Sequence, residues 1–390
     1  MSGALRIVVT GGLGAMPFAG VAWQVMHYLE GFRRLGHEVH YLEDSGSWPY
    51  DPEQDTVSED PRPALRYVAR HVARCGLEGR WAYRNGVEGT LHGMSEPELS
   101  AVLERADVLV NVSGFTVLGE ALMKIPARLY LETDPVLPQI QIAKGERFTI
   151  DLLEAHTHHF TYGENFGGPD CTVPVKGFKY FPTRQPAVLD WWEPLAVEPS
   201  VDTPFTTIAS WKQEAKDVEW QGKVLTWSKD VQFAPYLDLP SRVARPLEMS
   251  LAISDDAAVE RLEAAGWSIK PAAPLSRDVD VYRDYIRSSA GEFSVAKEQY
   301  ASTRSGWFSD RTVTYLASGR PAVVQDTGFG CALPTGEGLL AFSTPDEAVA
   351  ALEAVESDPA RHSRAAREIA EEHLSTDRVL SQMLSDASLS

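Results

Sequence analysis

The chain has 390 residues, and its 36 Lys and Arg against 55 Asp and Glu give a formal charge of −19. With 44% hydrophobic and 23% charged residues it is globular rather than disordered, and too long for one core of ordinary size, so two domains are expected. The acidic balance excludes a generic binder of nucleic acid or anionic membrane, which needs net basic surface, but not a small anionic ligand held by a few local cations.

The chain starts MSGALRIVVTGG, without the basic start and long apolar core of a signal peptide. No stretch of about 18 apolar residues predicts a membrane span. Cys75, Cys171 and Cys331 lie too far apart in sequence for a disulfide framework or a zinc pattern. A soluble, cytoplasmic protein is the expectation.

Leu5 to Thr10 is a short β-branched run ending at Gly11, Gly12 and Gly14. Phe18 to Leu35 has apolar residues near helical spacing and stops at Gly36, and Glu38 to Glu43 reads as a strand. Strand, glycine turn, helix, strand is a βαβ unit, which builds a parallel sheet. Asp44 to Pro63 reads as a polar loop. Helices are expected at Leu65 to Arg74, Glu96 to Arg105 and Leu118 to Lys124. Strands are expected at Asp107 to Val112, Arg128 to Glu132 and His158 to Tyr162. Five prolines and Trp191-Trp192 mark Phe181 to Thr206 as the crossing between domains. A second series opens at Phe205 to Ser210. Its further strands are expected near Leu247, Trp267, Glu292, Ala322 and Leu339. Among its helices are Val279 to Ser288, Ser309 to Ala317 and Thr376 to Leu384. The expected fold is α/β: two Rossmann-like domains, 1–190 and 191–390, facing each other across a cleft.

The first glycine turn lacks the third glycine of a dinucleotide fingerprint, because Pro17 stands there. This disfavours NAD and leaves Gly11, Gly12 and Gly14 as a tight turn or an open loop over a ligand. The sharper signal runs from Glu292 to Gly328. It reads as a strand, a loop with aromatic and basic residues, a helix capped by Ser309 and a strand ending at Asp326-Thr327-Gly328. A helix N-terminus after a strand presents free N–H groups to an anion. Lys297, Arg304 and Arg311 stand near it, with Asp310 as a counter-signal.

This stretch, with Ala317-Ser318-Gly319-Arg320-Pro321, resembles the donor domain of GT-B glycosyltransferases. The likeness is closest to group-1-like enzymes that include the CgeB-type proteins (glycosyltransferase family 1/4-like). Phe32 to Val39 and Pro345 to Leu384 are similar to their first and closing helices. The resemblance implies a nucleotide-sugar donor in the C-terminal domain, held by Lys297, Arg304, Ser309, Arg311, Asp326, Thr327 and Gly328. It implies a small-molecule or glycan acceptor in the N-terminal domain, and neither cofactor nor metal ion. Gly306 and Thr314 occupy the places of the two glutamates of the retaining enzymes.

Asp134, after a strand and before Pro135, is the candidate base for an acceptor hydroxyl, or else a loop cap. Glu164 and Asn165 are candidates for sugar hydroxyls, or else a polar turn. Lys212 is a phosphate candidate. Asp278-Val279-Asp280 reads as a helix start rather than a metal motif. Two alternatives to a transferase stay open: a nucleotide-sugar epimerase of the same architecture, and a non-catalytic binding protein.

Overall fold

The computed structural model describes residues 3–213 and 216–389. The first sheet is built from β1 (Arg6–Thr10), β2 (Glu38–Glu43), β3 (Trp81–Arg84), β4 (Leu91–Gly93), β5 (Val108–Val112), β6 (Ala127–Glu132), β7 (His158–Thr161) and β8 (Tyr180–Pro182). They lie in the order β8-β7-β6-β5-β1-β2-β3-β4, parallel apart from the β3-β4 pair. The second sheet holds β9 (Phe205–Ser210), β10 (Leu247–Ala252), β11 (Ser268–Pro271), β12 (Gly291–Ser294), β13 (Ala322–Gln325) and β14 (Leu339–Phe342). Its order is β11-β10-β9-β12-β13-β14, parallel throughout. These are two Rossmann-like domains.

The expected strands are present within a residue or two. The loop expected over Asp44 to Pro63 contains a small hairpin, Tyr50–Asp51 with Thr56–Val57. A second hairpin, Val218–Trp220 with Lys223–Leu225, had no counterpart in the sequence reading. Both are too short for strand alternation to register.

In each sheet the strand order reverses once, between β1 and β5 in the first and between β9 and β12 in the second. Crevices at such switch points, beyond the carboxyl ends of the strands, are where open α/β sheets take ligands. The helices that matter here are α1 (Ala19–Arg34), α2 (Leu137–Lys144), α3 (Val279–Ser288), α4 (Glu298–Thr303), α5 (Asp310–Ala317) and α6 (Thr376–Asp386). Gly36, at φ +89°, stops α1, and its N–H bonds the Arg33 carbonyl at 3.0 Å.

Although last in sequence, α6 packs on α1. Leu380 is fully buried there, worth about 1.5–3 kcal/mol. A Cβ on Gly31 would fall 2.5 Å from Leu380 Cδ1, so only glycine permits this approach. Trp192 is buried against Trp23 and His27, and Trp191 packs on both. His27 is neutral in this cage, since burial pushes its pKa down to about 3. Among the described residues no helix is long and apolar enough to cross a membrane.

Candidate functional site

The second switch point has a charged floor. Glu292 on β12 is fully buried. The Arg311 guanidinium reaches it from α5, donating through Nε to Oε1 at 2.7 Å. Its other nitrogens donate to the Ile208 carbonyl (2.6 Å) and to Ser294 Oγ (2.7 Å). Arg311 is therefore committed to holding β9, β12 and α5 together. Ser309 caps α5, accepting the Arg311 N–H at 3.3 Å.

Above this floor stand two lysines. Lys229 is 7% exposed, yet among the described residues its ammonium makes only a long contact, 3.5 Å to Ser294 Oγ. Burial, then the Arg311 and Lys297 charges, push its pKa well below the ordinary value. An ammonium carries three donors, so Lys229 is poorly served by its surroundings. Lys297 lies over the Trp227 ring, 3.2 Å from the centroid, and burial together with Lys216 lowers its pKa to about 8. Lys216 approaches the same ring at 4.5 Å.

Across the cleft is Asp134, just beyond β6. Tyr300 on α4 donates to its Oδ1 at 2.6 Å, and Lys297 Nζ lies 3.7 Å from the same oxygen. Its side chain remains 44% exposed. Burial pushes the carboxyl up, but Lys297, Lys216 and the Tyr300 hydrogen bond outweigh it and hold the pKa below the usual range.

Two residues on, Val136 adopts φ +85° and ψ −59°, the strained γ-turn that a β-branched residue avoids. The Gln139 side chain holds it there. Its Oε1 accepts the Val136 N–H at 2.6 Å, and its Nε2 donates to buried Glu132 at 2.7 Å. Thr161 donates to the other Glu132 oxygen at 2.6 Å. Asp310, at the start of α5, faces the same cleft. Burial raises its pKa, and its Oδ1 accepts the Arg311 N–H at 2.9 Å.

The remaining donor candidates gather elsewhere, in a seam between the domains. Arg304, at φ +49°, bridges Asp170 of the first half and Asp326 of the second. The Asn165 N–H donates to the Ser305 carbonyl at 3.1 Å, and its side chain to the Arg304 carbonyl at 2.8 Å. The Thr327 hydroxyl donates to the Trp307 carbonyl at 2.6 Å, and the Gly328 N–H to Asp326 Oδ1 at 2.7 Å. A Cβ on Gly306 would meet Asn165 N at 2.3 Å. Glu164 is buried in an ion pair with Arg184, and burial raises its pKa to about 6. Arg304, Asn165, Thr327 and Gly328 make their hydrogen bonds to other groups of this seam, while Glu164 keeps one buried carboxylate oxygen without a partner among the described residues.

The glycine loop is likewise occupied. Glu43, at the end of β2, accepts the N–H groups of Gly14 and Ala15, both at 2.8 Å, and the Tyr41 hydroxyl at 2.7 Å. Burial pushes Glu43 up to about 7. A Cβ on Gly12 would touch the Phe115 ring at 2.8 Å, and one on Gly14 the Tyr83 ring at 2.6 Å. The loop is a packed turn whose Gly14 and Ala15 N–H groups are taken by Glu43.

Lys212 is exposed in the loop after β9. Asp278 caps α3, accepting the N–H groups of Asp280 and Val281, and both aspartates pair with Arg70. His156 and His159 are buried and bond the carbonyls of Leu152 and Leu153. Lys229, Tyr300, Trp227 and Gln139 were not singled out from sequence. Lys229 follows the inserted hairpin and acts 65 residues from Ser294, so no local pattern marks it.

No protein-family model and no curated protein matches the sequence. Solved structures match nearly the whole chain. AviGT4, a glycosyltransferase involved in avilamycin A biosynthesis, is 12% identical over 98% of this chain and 97% of that one, with a TM-score of 0.54. Sucrose-phosphate synthase from Thermosynechococcus elongatus is 12% identical over 98% of each chain, at 0.53. HepE from Anabaena, solved with UDP and glucose, is 11% identical over 98% of this chain and 99% of its own, at 0.53. The chain therefore has the GT-B fold of these glycosyltransferases.

Proposed function

We propose that the protein is a glycosyltransferase that takes a sugar from a nucleoside-diphosphate donor. One observation carries this reading: the buried Lys229 ammonium, beside Lys297 at the carboxyl edge of β12, has three donors and one long contact. A diphosphate supplies the missing acceptors and charge, and as a leaving group it gains negative charge that fixed cations stabilise. Lys229 and Lys297 would bind it, with the first turn of α5 adding N–H groups. Arg311 would act through the floor it holds, not by touching the donor.

In this reading Asp134 is the base that takes a proton from the acceptor hydroxyl. The charge on the leaving group is met by side chains, so the reaction is proposed to run without a metal ion. Residues 1–190 would form the acceptor domain and 191–390 the donor domain, with α6 docked back onto the first.

The GT-B fold supports the two-domain assignment, and HepE, solved with UDP and glucose, makes UDP-glucose the first donor to try. The test is a panel of nucleotide sugars, followed by release of the nucleoside diphosphate and transfer to added acceptors. Release that is lost in Lys229→Met is expected. Absence of binding to every sugar nucleotide by calorimetry would overturn the reading in favour of a non-catalytic protein. An isomerised sugar without transfer would mark an epimerase.

A further inference from the structure

Lys297 stands between the two proposed substrates, with Asp310 and Lys216 near it. On one side it shares the mouth of β12 with Lys229, whose pKa its charge depresses. On the other it is ion-paired at 3.7 Å with Asp134, which also accepts from Tyr300. The pair is long, involves one carboxylate oxygen, and has a 44% exposed aspartate. A single 3.7 Å contact from a largely buried ammonium to a half-exposed carboxylate is a weak hold, so a diphosphate, whose several oxygens accept charge-assisted hydrogen bonds, outcompetes it.

We propose, on the donor-site reading above, that Lys297 couples the two halves of the reaction: an arriving diphosphate draws Lys297 away from Asp134 and so readies Asp134 for the acceptor. Beside Lys297, Asp134 is held below the usual carboxylate range, a state in which it is a poor proton acceptor. Loss of the Lys297 contact removes the largest charge that lowers it. The strained turn at Val136, fixed by Gln139, keeps the aspartate aimed across the cleft while its partner leaves. The donor then activates the base only by being present, which limits unproductive chemistry on an acceptor bound alone.

The test uses inorganic pyrophosphate, which reads the cations without the nucleotide or sugar. Calorimetry is run on the wild type, Asp134→Asn, Lys297→Met and the double variant. If Asp134 and the diphosphate compete for Lys297, Asp134→Asn binds pyrophosphate more tightly, by about three- to tenfold. Lys297→Met binds it more weakly, and in that background Asp134→Asn gives little further gain.

Wild-type protein that does not bind pyrophosphate, or Asp134→Asn that binds equally or less well, overturns the proposal. So does a gain that persists at full size without Lys297, which would be simple loss of repulsion. Circular dichroism and thermal melts confirm that each variant is folded. Failure of the transferase reading is a separate result, because it appears as absent sugar-nucleotide binding or turnover even where pyrophosphate behaves as expected.

Discussion

The two switch points are built on the same plan and used in opposite ways. At the first, the loop after β1 offers backbone N–H groups to the cleft, and the protein's own Glu43 takes those of Gly14 and Ala15. The rings of Phe115 and Tyr83 pack directly on Gly12 and Gly14. At the second, a neutralised pair, Glu292 with Arg311, forms the floor, while Lys229 above it is left with one long hydrogen bond. A glycine loop is therefore no sign of a ligand site unless its donors are free. A buried cation with unmet donors is the more informative feature.

The comparison can be broken most forcefully at its floor. Arg311→Ala leaves Glu292 buried without its partner, and removing one member of a buried pair costs about 3–5 kcal/mol. Chemical denaturation should show that loss, and a variant as stable as wild type would mean that the floor is not a closed unit. Lys229→Met should do the reverse. It removes a buried charge, so stability holds or rises, while nucleoside-diphosphate affinity falls by about 1.5–3 kcal/mol, the worth of a charge-assisted hydrogen bond. Calorimetry separates the two effects.

The first switch point is tested with Glu43→Gln, which should leave diphosphate affinity unchanged. Its signature is in pH. Burial raises the Glu43 pKa from 4.5 to about 7, so between those values the native state holds a proton that the unfolded chain has released. The wild type accordingly loses stability as pH rises through that window, and Glu43→Gln does not share that loss. The expected difference between pH 5 and pH 8 is about 2–3 kcal/mol. Parallel melting curves for the two proteins at pH 5 and pH 8 would contradict the raised carboxyl.

How far the sequence carried the fold depended on periodicity. The parallel strands are short apolar runs and α1 has helical spacing, so both were readable. The hairpin over Val218–Leu225 and the edge pair β3-β4 span only a few residues each, below the length at which alternation registers. For the proposed site, Asp134 could be named as a candidate because a carboxylate at a strand end before proline sits at the sheet's edge by construction. Lys229 could not, since its meaning depends on burial and on Ser294, which belongs to another strand. The run from Glu292 to Gly328 was marked from sequence as the donor-binding stretch. The structure divides its residues between the floor and the seam, a division that depends on which acceptors lie across the domain boundary.

Arg304 makes that division testable, because it shares α4 with Lys297. The two residues flank this six-residue helix, Lys297 at its start and Arg304 at its end, so one element carries one cation to the cleft and one to the seam. From sequence both are cations beside a donor helix. In the structure Arg304 is bound by Asp170 and Asp326 and is 38% exposed. An exposed bridge of this kind contributes about 0–1 kcal/mol. Arg304→Met should therefore lower stability only slightly and leave pyrophosphate and nucleoside-diphosphate affinities at wild-type values, whereas Lys297→Met weakens both. If Arg304→Met weakened diphosphate binding as much as Lys297→Met, the seam would be part of the donor site. Asp170 and Asp326 would then be holding that cation in place for the ligand, not closing the domains on each other.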